Sequence, residues 1–357
     1  MKRILIVTIF ALMGCCLYAQ NKAGAEKFVN EGLPYHDKGD YEGAIVRYNK
    51  ALELDSCNLL ALAEKSLSLL SSNKYEECIV CCRKAIDKHP GEPELVVVYV
   101  NYGTAVDGLK QTDKSIEIYE EGITQFPKAY SLYFNKGITL KSVRRNEEAI
   151  QCFQKSAMLN PRHAGTQNAM ARTLRTDINR IPSILAYSRF FVLEPESERA
   201  KINLQSLELL MNANVEKTGD KGVTVTVNPK ILNDTTSNDS TSTTTKDENN
   251  FDSTDLILSM TTALDFDKKY KKETGVERFM RKFEVVCALL SETKKDQHDF
   301  YWNYYVPYFL KMKDKNFIKT FAYIVYTSSG DPKVSEWLKM HTEDVKQFYV
   351  WSKNYNW

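Results

Sequence analysis

The chain has 357 residues, of which 43% are hydrophobic and 26% charged, so it is long enough for two or three globular units and too apolar for wholesale disorder. Its 15 Gly and 10 Pro exclude a collagen-like sequence. The formal net charge of +2 lacks the basic character of a nucleic-acid-binding protein, and we expect no nucleic-acid partner.

The N-terminal segment has the pattern of a secretory signal. Two cations precede an apolar run from Ile4 to about Cys16, and Ala19 offers a small-residue cleavage site. We predict a signal peptide at 1–19 and an exported protein, periplasmic or outer-membrane-associated. The alternative is a lipoprotein, because the sequence LMGC that ends at Cys15 resembles a bacterial lipobox. No later stretch is apolar over the ~18 residues of a spanning helix, so we expect no transmembrane segment in the mature chain.

A 34-residue repeat organises the N-terminal half. Its eighth, twentieth and twenty-seventh positions are small in every unit except for Phe190, and bulky apolar residues lie between them. Small residues let two helix backbones approach, and a proline near the end of units two to five stops the second helix. The pattern predicts antiparallel helix pairs that stack, since one pair cannot bury its own apolar face. The five predicted repeats are 25–58, 59–92, 96–129, 130–163 and 164–197.

Small residues mark the predicted helix crossings, and bulky residues fill the gaps beside them. Pro34 predicts a kink or a late start in the first helix of the first repeat. The small eighth residues are Gly32, Ser66, Gly103, Gly137 and Ala171. The bulky apolar residues between the small positions are Tyr35, Leu69, Val106, Leu140 and Leu174, then Tyr48, Cys82, Tyr119, Phe153 and Tyr187.

This pattern resembles the tetratricopeptide repeat. Residues 25–58, with GDYEGAI at 39–45 and YNKALEL at 48–54, are close to its consensus. The resemblance implies an all-α solenoid of helical hairpins that is a non-enzymatic scaffold and binds a protein or peptide partner in a concave groove. The amphipathic stretch from Ser197 to Asn214 is predicted to be a capping helix that completes an array at 25–215.

The resemblance also implies which residues line the groove, since the first helix of each repeat faces it. These positions are apolar in the middle of the array and cationic at its C-terminal end, which suggests a ligand with a carboxylate beside an apolar group. The alternative is that the cations are solvated and paired with nearby acids. The predicted partner-binding residues are Phe134, Ile138, Lys141, Asn168, Arg172 and Arg175. Other positions on the same face include Glu26, Leu33, His36, Leu60, Leu67, Val97, Val100 and Asp107.

One function known for relatives is not supported by these residues. The carboxylate clamp of chaperone-binding relatives needs a Lys and Asn pair in the first repeat, where this chain has Val29 and Leu33.

Residues 216–250 are predicted to be a linker. GVTVTV at 222–227 alternates with period two, so we expect a short strand whose partner lies in this chain or on another protein. Residues 233–250 are Ser, Thr, Asn, Asp and Glu with one Lys, and the absence of apolar side chains predicts disorder. Asp234-Thr235-Thr236 resembles an O-glycosylation triplet of Bacteroidetes-type bacteria, the alternative being an unmodified spacer.

Residues 251–357 are predicted to form an aromatic-rich bundle of four or five helices. All four Trp of the chain lie here, and Asp331-Pro332 is a helix-start signal. The aromatic run 300–309 should be mostly core, because side chains in a helix point all round; the alternative is a sugar-stacking platform. The alternative function is therefore a carbohydrate- or peptidoglycan-associated binding protein, with an envelope glycan as partner.

The sequence contains none of the common motifs of catalytic, nucleotide or zinc sites. Cys78, Cys81, Cys82 and His89 are the best metal candidates, but three Cys in one helix do not form two separated ligand pairs. Buried thiols in core positions are the better interpretation, with Cys81 facing outward. We predict no enzyme activity, no cofactor and no metal site.

Overall fold

A computed structural model describes residues 22–175, 179–219, 222–227, 251–294 and 298–357. The predicted signal peptide (1–19) and polar tract (233–250) lie outside the described residues. The described residues form two compact units, the first made of 22–159 and the second of those from 160 onwards. Among the described residues, no helix is both long and apolar enough to cross a bilayer.

The first unit consists of helix pairs that match four predicted repeats, from 25–58 to 130–163. Helix α1 continues through Pro34 without a break, so the predicted late start is wrong. Each pair packs against the next, and α3, α5 and α7 also contact one another in turn. The helices are α1 (22–37), α2 (Tyr41–Leu54), α3 (Leu59–Ser71), α4 (Tyr75–Lys88), α5 (Leu95–Gly108), α6 (Thr112–Gln125), α7 (Tyr130–Ser142) and α8 (Asn146–Leu159).

An aromatic ring lies against a glycine where the two helices of a repeat cross. There is no space for a side chain at these glycines, which explains the small eighth position of the pattern. In the second repeat the eighth residue is Ser66, which is larger than Gly, and the residue sixteen positions later is Cys82, which is smaller than an aromatic residue. Both are buried. The glycine pairs, with the distance from an added Cβ to the nearest ring carbon, are Gly32 and Tyr48 (2.4 Å), Gly103 and Tyr119 (2.5 Å), and Gly137 and Phe153 (2.6 Å).

The turn inside each of these four repeats also follows one design. The fifteenth residue of the repeat has a left-handed backbone conformation. The N–H of the sixteenth residue donates to a carbonyl in the last turn of the first helix, as Lys74 donates to Leu69 at 2.8 Å. This arrangement satisfies carbonyls that the helix end leaves open. The left-handed residues are Gly39 (φ 79°), Asn73 (59°), Lys110 (62°) and Arg144 (63°).

The second unit contains the fifth predicted repeat, a hairpin and the C-terminal helices. Six α-helices occur among the described residues of 251–357, where four or five were predicted. The elements are α9 (Ala164–Leu174), α10 (Arg180–Leu193), α11 (Glu198–Asn212), β1 (Val215–Thr218), β2 (Gly222–Val225), α12 (Asp252–Ala263), α13 (Gly275–Thr293), α14 (Phe300–Asp314), α15 (Ile318–Val325), α16 (Pro332–Met340) and α17 (Thr342–Lys353). Short 3₁₀ turns occupy Leu264–Phe266 and Thr327–Ser329.

Helix α10 is the centre of this second unit. Every residue from Arg180 to Val192 is buried, and the helix packs against α9, α11, α12, α14 and α15. A helix that is buried all round lies inside its domain. The compact units therefore differ from the predicted division into 25–215 and 251–357, because the fifth repeat shares its core with the C-terminal helices.

The strand predicted at 222–227 has its partner within this chain. Strands β1 and β2 pair antiparallel, with Val215 opposite Val225 and Thr218 opposite Gly222. Helix α11, predicted as a cap, begins after Ser197, whose hydroxyl accepts a hydrogen bond from the Ala200 N–H. Helix α11 contacts α12 and α13, so other helices of the second unit cover part of its surface.

The aromatic run 300–309 belongs mainly to the core, as predicted. Trp302 is 1% exposed, and Tyr305, Tyr308 and Phe309 are fully buried. The predicted start of α16 is also observed, since the Asp331 carboxylate accepts a hydrogen bond from the Lys333 N–H and Pro332 opens the helix.

Candidate functional site

The first helices of the repeats present a continuous surface in the first unit. We call the exposed and half-buried residues of α1, α3, α5 and α7 at the predicted groove positions the first-helix face. It forms because the eighth residue of each repeat packs against the second helix, as Gly137 does against Phe153. The opposite side of each first helix is then left for solvent or a partner.

Apolar side chains form much of the first-helix face. Leu60 is 45% exposed, Val97 41% and Ile138 40%. Their neighbours Leu33, Leu67, Val100 and Phe134 are half-buried. Adjacent exposed apolar residues on neighbouring helices are typical of an interaction surface, because burying them against a partner is favourable.

A group of polar side chains lies on and beside this face in the first two repeats. His36 Nδ1 lies 2.7 Å from the Ser68 hydroxyl, which joins α1 to α3. Burial raises the pKa of Glu64, while His36 opposes this increase and the carboxylate of Asp37 adds to it. Glu64 therefore lies in a partly dry environment with a second carboxylate close enough to interact.

Three of the six predicted groove residues lie in the first unit. The Phe134 ring is 6.2 Å from that of Phe153 and remains half-buried. Ile138 is exposed, and Lys141 is half-buried in the last turn of α7. The structure thus places an aromatic, an aliphatic and a cationic residue on one helix face.

The other three predicted groove residues lie in the second unit. Arg172 and Arg175 are exposed, and Arg175 Nη1 lies 3.5 Å from the Ser206 hydroxyl. Asn168 is only 8% exposed, and its side-chain oxygen has no hydrogen-bond partner among the described residues. Asn168 is therefore too buried to serve as an open contact in this structure.

A second surface feature is an open groove of about 400 Å³ in the second unit. Phe317 and Trp351 form its floor, with ring centroids 5.5 Å apart. The Trp351 ring is fixed from behind by stacking on Tyr308 at 5.0 Å. The other residues that line the groove are Lys315, Glu343, Lys346, Gln347, Val350 and Asn354.

The cysteines of the described residues are free thiols, and most of them are buried. Burial raises the pKa of Cys81 to about 11 and that of Cys287 to about 12. The prediction that Cys81 faces outward is wrong, since it is 6% exposed and its thiol donates to the Leu62 carbonyl at 3.3 Å. Within the ranges that the structure describes, no cluster of three His, Cys, Asp or Glu side chains could hold a metal ion.

Buried cations in the second unit were not predicted from the sequence. Arg180 donates to the Leu210 carbonyl at 2.7 Å and to Asp255 at 3.1 Å. Lys282 donates to Asn212 and Asp265, both at 2.6 Å. These groups connect helices of one core. For Arg180 the signal in the sequence is a cation inside a helix that otherwise lacks a polar face, whereas Lys282 lies in an amphipathic helix and has no such signal.

Comparisons with known proteins identify the repeats. A family model described as "TPR repeat" matches residues 32–62, and one described as "Tetratricopeptide repeat" matches residues 130–163. Among curated proteins, the Hsp70-Hsp90 organizing protein of Triticum aestivum is 26% identical over 185 residues, which is 51% of this chain and 31% of the relative. The STIP1 homolog of Dictyostelium discoideum is 30% identical over 122 residues, 33% of this chain and 22% of the relative. The chain thus spans less than a third of the length of either relative.

Solved structures give similar matches. A thermophilic TPR protein of Thermus thermophilus has a TM-score of 0.46 and 12% identity, over 52% of this chain and 99% of that one. A structure of pilF from Pseudomonas aeruginosa has a TM-score of 0.43 and 20% identity, over 54% of this chain and 90% of that one. With the helix pairs described above, the family matches establish that this chain carries tetratricopeptide repeats in its N-terminal half.

Proposed function

We propose that this protein is a scaffold that binds a partner protein through the first-helix face of its first unit. The observation that supports this most directly is the row of exposed Leu60, Val97 and Ile138 on α3, α5 and α7. The three helices pack side by side, so an extended segment or a helix of a partner could cover all three residues at once.

The curated relatives support the same class of function. The printed name of the Triticum aestivum relative describes it as organizing Hsp70 and Hsp90. We extend only the class, a non-enzymatic adaptor, to this chain. Val29 is fully buried and Leu33 is half-buried, so neither offers the polar contact of a carboxylate clamp in the first repeat.

We further propose that the protein acts in the bacterial cell envelope after export. This rests on the predicted signal at 1–19, with lipidation at Cys15 as the alternative. Cell fractionation with mass spectrometry of the mature N-terminus tests both. A chain that starts after Ala19 supports cleavage, a lipid-modified Cys15 supports the alternative, and an intact N-terminus in the cytoplasm contradicts export.

The scaffold proposal can be tested with matched substitutions of exposed apolar residues. Leu60→Asp with Ile138→Asp should reduce the amount of partner protein that binds to the immobilised full chain. Mass spectrometry measures this amount. Val80→Asp with Met158→Asp is the control, because Val80 (69% exposed) and Met158 (53% exposed) lie on second helices. Equal partner capture by the two double variants, with unchanged melting temperatures, would contradict a role for the first-helix face.

A second candidate function is glycan binding by the groove at Phe317 and Trp351. Rigid aromatic rings flanked by Gln347 and Asn354 suit a sugar, because its apolar face can stack on a ring while its hydroxyls reach the amides. Titration of the full chain with soluble peptidoglycan fragments tests this. Binding that Gln347→Ala with Asn354→Ala abolishes would favour the glycan function, and no binding would remove it.

A further inference from the structure

Charge is unevenly distributed along the first-helix face. In the first two repeats Glu26 lies at a face position, and two further carboxylates come directly after face positions, Asp37 after His36 and Glu64 after Ala63. Within 22–159, no Lys or Arg nitrogen lies within 4.0 Å of these three carboxylates in the structure. Farther along the face, Asp107 of α5 accepts hydrogen bonds from the Thr112 and Thr139 hydroxyls, and α7 carries Lys141. The three carboxylates of the first two repeats therefore have no ion-pair partner among the described residues of the first unit, whereas Lys27 of α1 pairs with Glu31 and Lys65 of α3 lies near Cys81 of α4.

The acidic groups lie beside apolar residues of the same two helices. Leu60 is 45% exposed, while Leu33 and Leu67 are half-buried. Glu64 is itself half-buried, and removing a carboxylate from water is unfavourable unless a cation or a donor compensates it. Its electrostatic neighbours are His36 and Asp37, so a second negative charge adds to this cost.

We propose that the α1 and α3 part of the first-helix face binds a partner segment in which Lys or Arg side chains alternate with apolar ones. The inference rests on the scaffold function proposed above and specifies the chemistry of the partner. Apolar side chains of the segment cover Leu33, Leu60 and Leu67. Its cations reach the surrounding carboxylates and neutralise the charge that the face leaves uncompensated.

A cationic segment fits this part of the face better than an acidic one. An acidic segment would bury the same apolar area but would place its negative charges beside those of the face. This repulsion weakens its binding relative to that of a cationic segment. The ion pairs between the segment and the face are partly exposed to solvent. They should therefore contribute modestly to affinity and make it strongly dependent on salt concentration.

Three synthetic peptides of equal length test the proposal on the full chain by fluorescence anisotropy. One alternates Leu and Lys, one alternates Leu and Glu, and one alternates Ser and Lys. The first should bind more tightly than the third, because only the first covers the apolar residues. Its dissociation constant should rise with salt concentration.

The decisive variant removes the three negative charges without changing side-chain size, as Glu26→Gln, Asp37→Asn and Glu64→Gln. It should weaken binding of the Leu-Lys peptide by about tenfold and strengthen binding of the Leu-Glu peptide, because the repulsion between like charges is removed. The matched control is Glu53→Gln, Glu117→Gln and Glu147→Gln, which changes the net charge equally at exposed positions of second helices. This control should bind as the wild type does.

The outcomes separate this inference from the function on which it rests. If the charge variant binds the Leu-Lys peptide as tightly as the control does, the cationic partner is refuted. The variant Leu60→Ser with Val97→Ser then tests the scaffold proposal separately. If it weakens binding of the Leu-Lys peptide, the scaffold proposal stands; if binding is unchanged, both proposals fail. If the triple variant melts at a lower temperature than the wild type, the double variant Glu26→Gln with Asp37→Asn replaces it in the same test, because both of these residues are exposed.

Discussion

The guanidinium carbon of Arg189 lies 4.4 Å from the centroid of the Trp357 ring, although the two residues are far apart in the chain. Arg189 is 1% exposed and donates hydrogen bonds to the hydroxyls of Tyr308 and Ser352, each at 3.2 Å. The second helix of the fifth repeat is thus connected to α14, α17 and the last residue of the chain. Burial lowers the pKa of Arg189, and the aromatic rings and hydroxyls compensate its charge.

Arg189→Ala should destabilise the second unit by about 2–4 kcal/mol, because it leaves a cavity and removes one hydrogen bond from each of two buried hydroxyls, which keep the bond to each other. Urea unfolding followed by Trp fluorescence measures this. Arg199→Ala is the control, since the Arg199 side chain is 46% exposed and pairs with Glu194 at the surface. Its cost should stay below about 1 kcal/mol. Equal costs for the two variants would show that Arg189 does not hold the helices together.

Gly137→Ala should destabilise the first unit by about 1–3 kcal/mol, because the new Cβ would lie 2.6 Å from a Phe153 ring carbon. Thermal unfolding by circular dichroism measures the change. Adding Phe153→Leu should recover part of the loss, since the smaller side chain leaves room for the Cβ. If the two substitutions are strictly additive, the glycine and the ring do not share one packing site.

The helix crossings could be predicted from the sequence because their cause is local. A glycine eight positions into a repeat and a ring sixteen residues later are visible in Gly32 and Tyr48 without any structure. The exposed position of Ile138 follows from the same register.

The burial of the fifth repeat could not be predicted in this way. Periodicity places Asn168 and Phe190 on helices but does not show which distant segment covers them. The Tyr305 hydroxyl donates to Gln167 of α9 at 2.5 Å, a contact that joins residues 138 positions apart. The available signal was α10 itself, since RIPSILAYSRFFVL has no polar face despite its two arginines.

Thiol labelling should distinguish Cys57 from the buried cysteines. Cys57 is half-buried, whereas Cys81 and Cys287 have pKa values raised by burial to about 11 and about 12. At about pH 8 only about one Cys81 in a thousand is then a thiolate, against about a quarter of ordinary thiols. Mass spectrometry after brief treatment with a thiol reagent should find Cys57 modified first, and Cys57→Ser should remove the fast phase. Rapid modification of Cys81 or Cys287 in the folded protein would contradict their burial.

Arg172→Ala with Arg175→Ala tests the predicted cationic contacts in the second unit. Both side chains are exposed, so stability should change by less than about 0.5 kcal/mol. Affinity for the alternating Leu-Glu peptide should fall severalfold, and the remaining binding should depend less on salt. Lys271→Ala with Lys272→Ala removes two exposed cations elsewhere in the same unit and should have no effect. Unchanged affinity in the arginine variant would mean that these cations are only solvated surface charges.

Fragments of the chain test whether the fifth repeat and the C-terminal helices form one unit. Residues 160–357 should unfold cooperatively in urea, because they keep the contacts of Arg189 and Gln167 with α14. Residues 251–357 alone should lose cooperativity and bind a hydrophobic dye, since the surface that covers Tyr305 and Tyr308 is missing.

Limited proteolysis of the full chain gives a second view of the same unit. The composition of 233–250 predicts the first cut there. The two products should nevertheless elute together in size-exclusion chromatography, because buried contacts such as Arg180 with Asp255 join the sequences on either side of the cut. Arg180→Ala should promote their separation, since it leaves Asp255 without its cation, whereas the surface variant Arg199→Ala should not. Products that separate freely, together with a 251–357 fragment as stable as 160–357, would instead support an independent C-terminal domain.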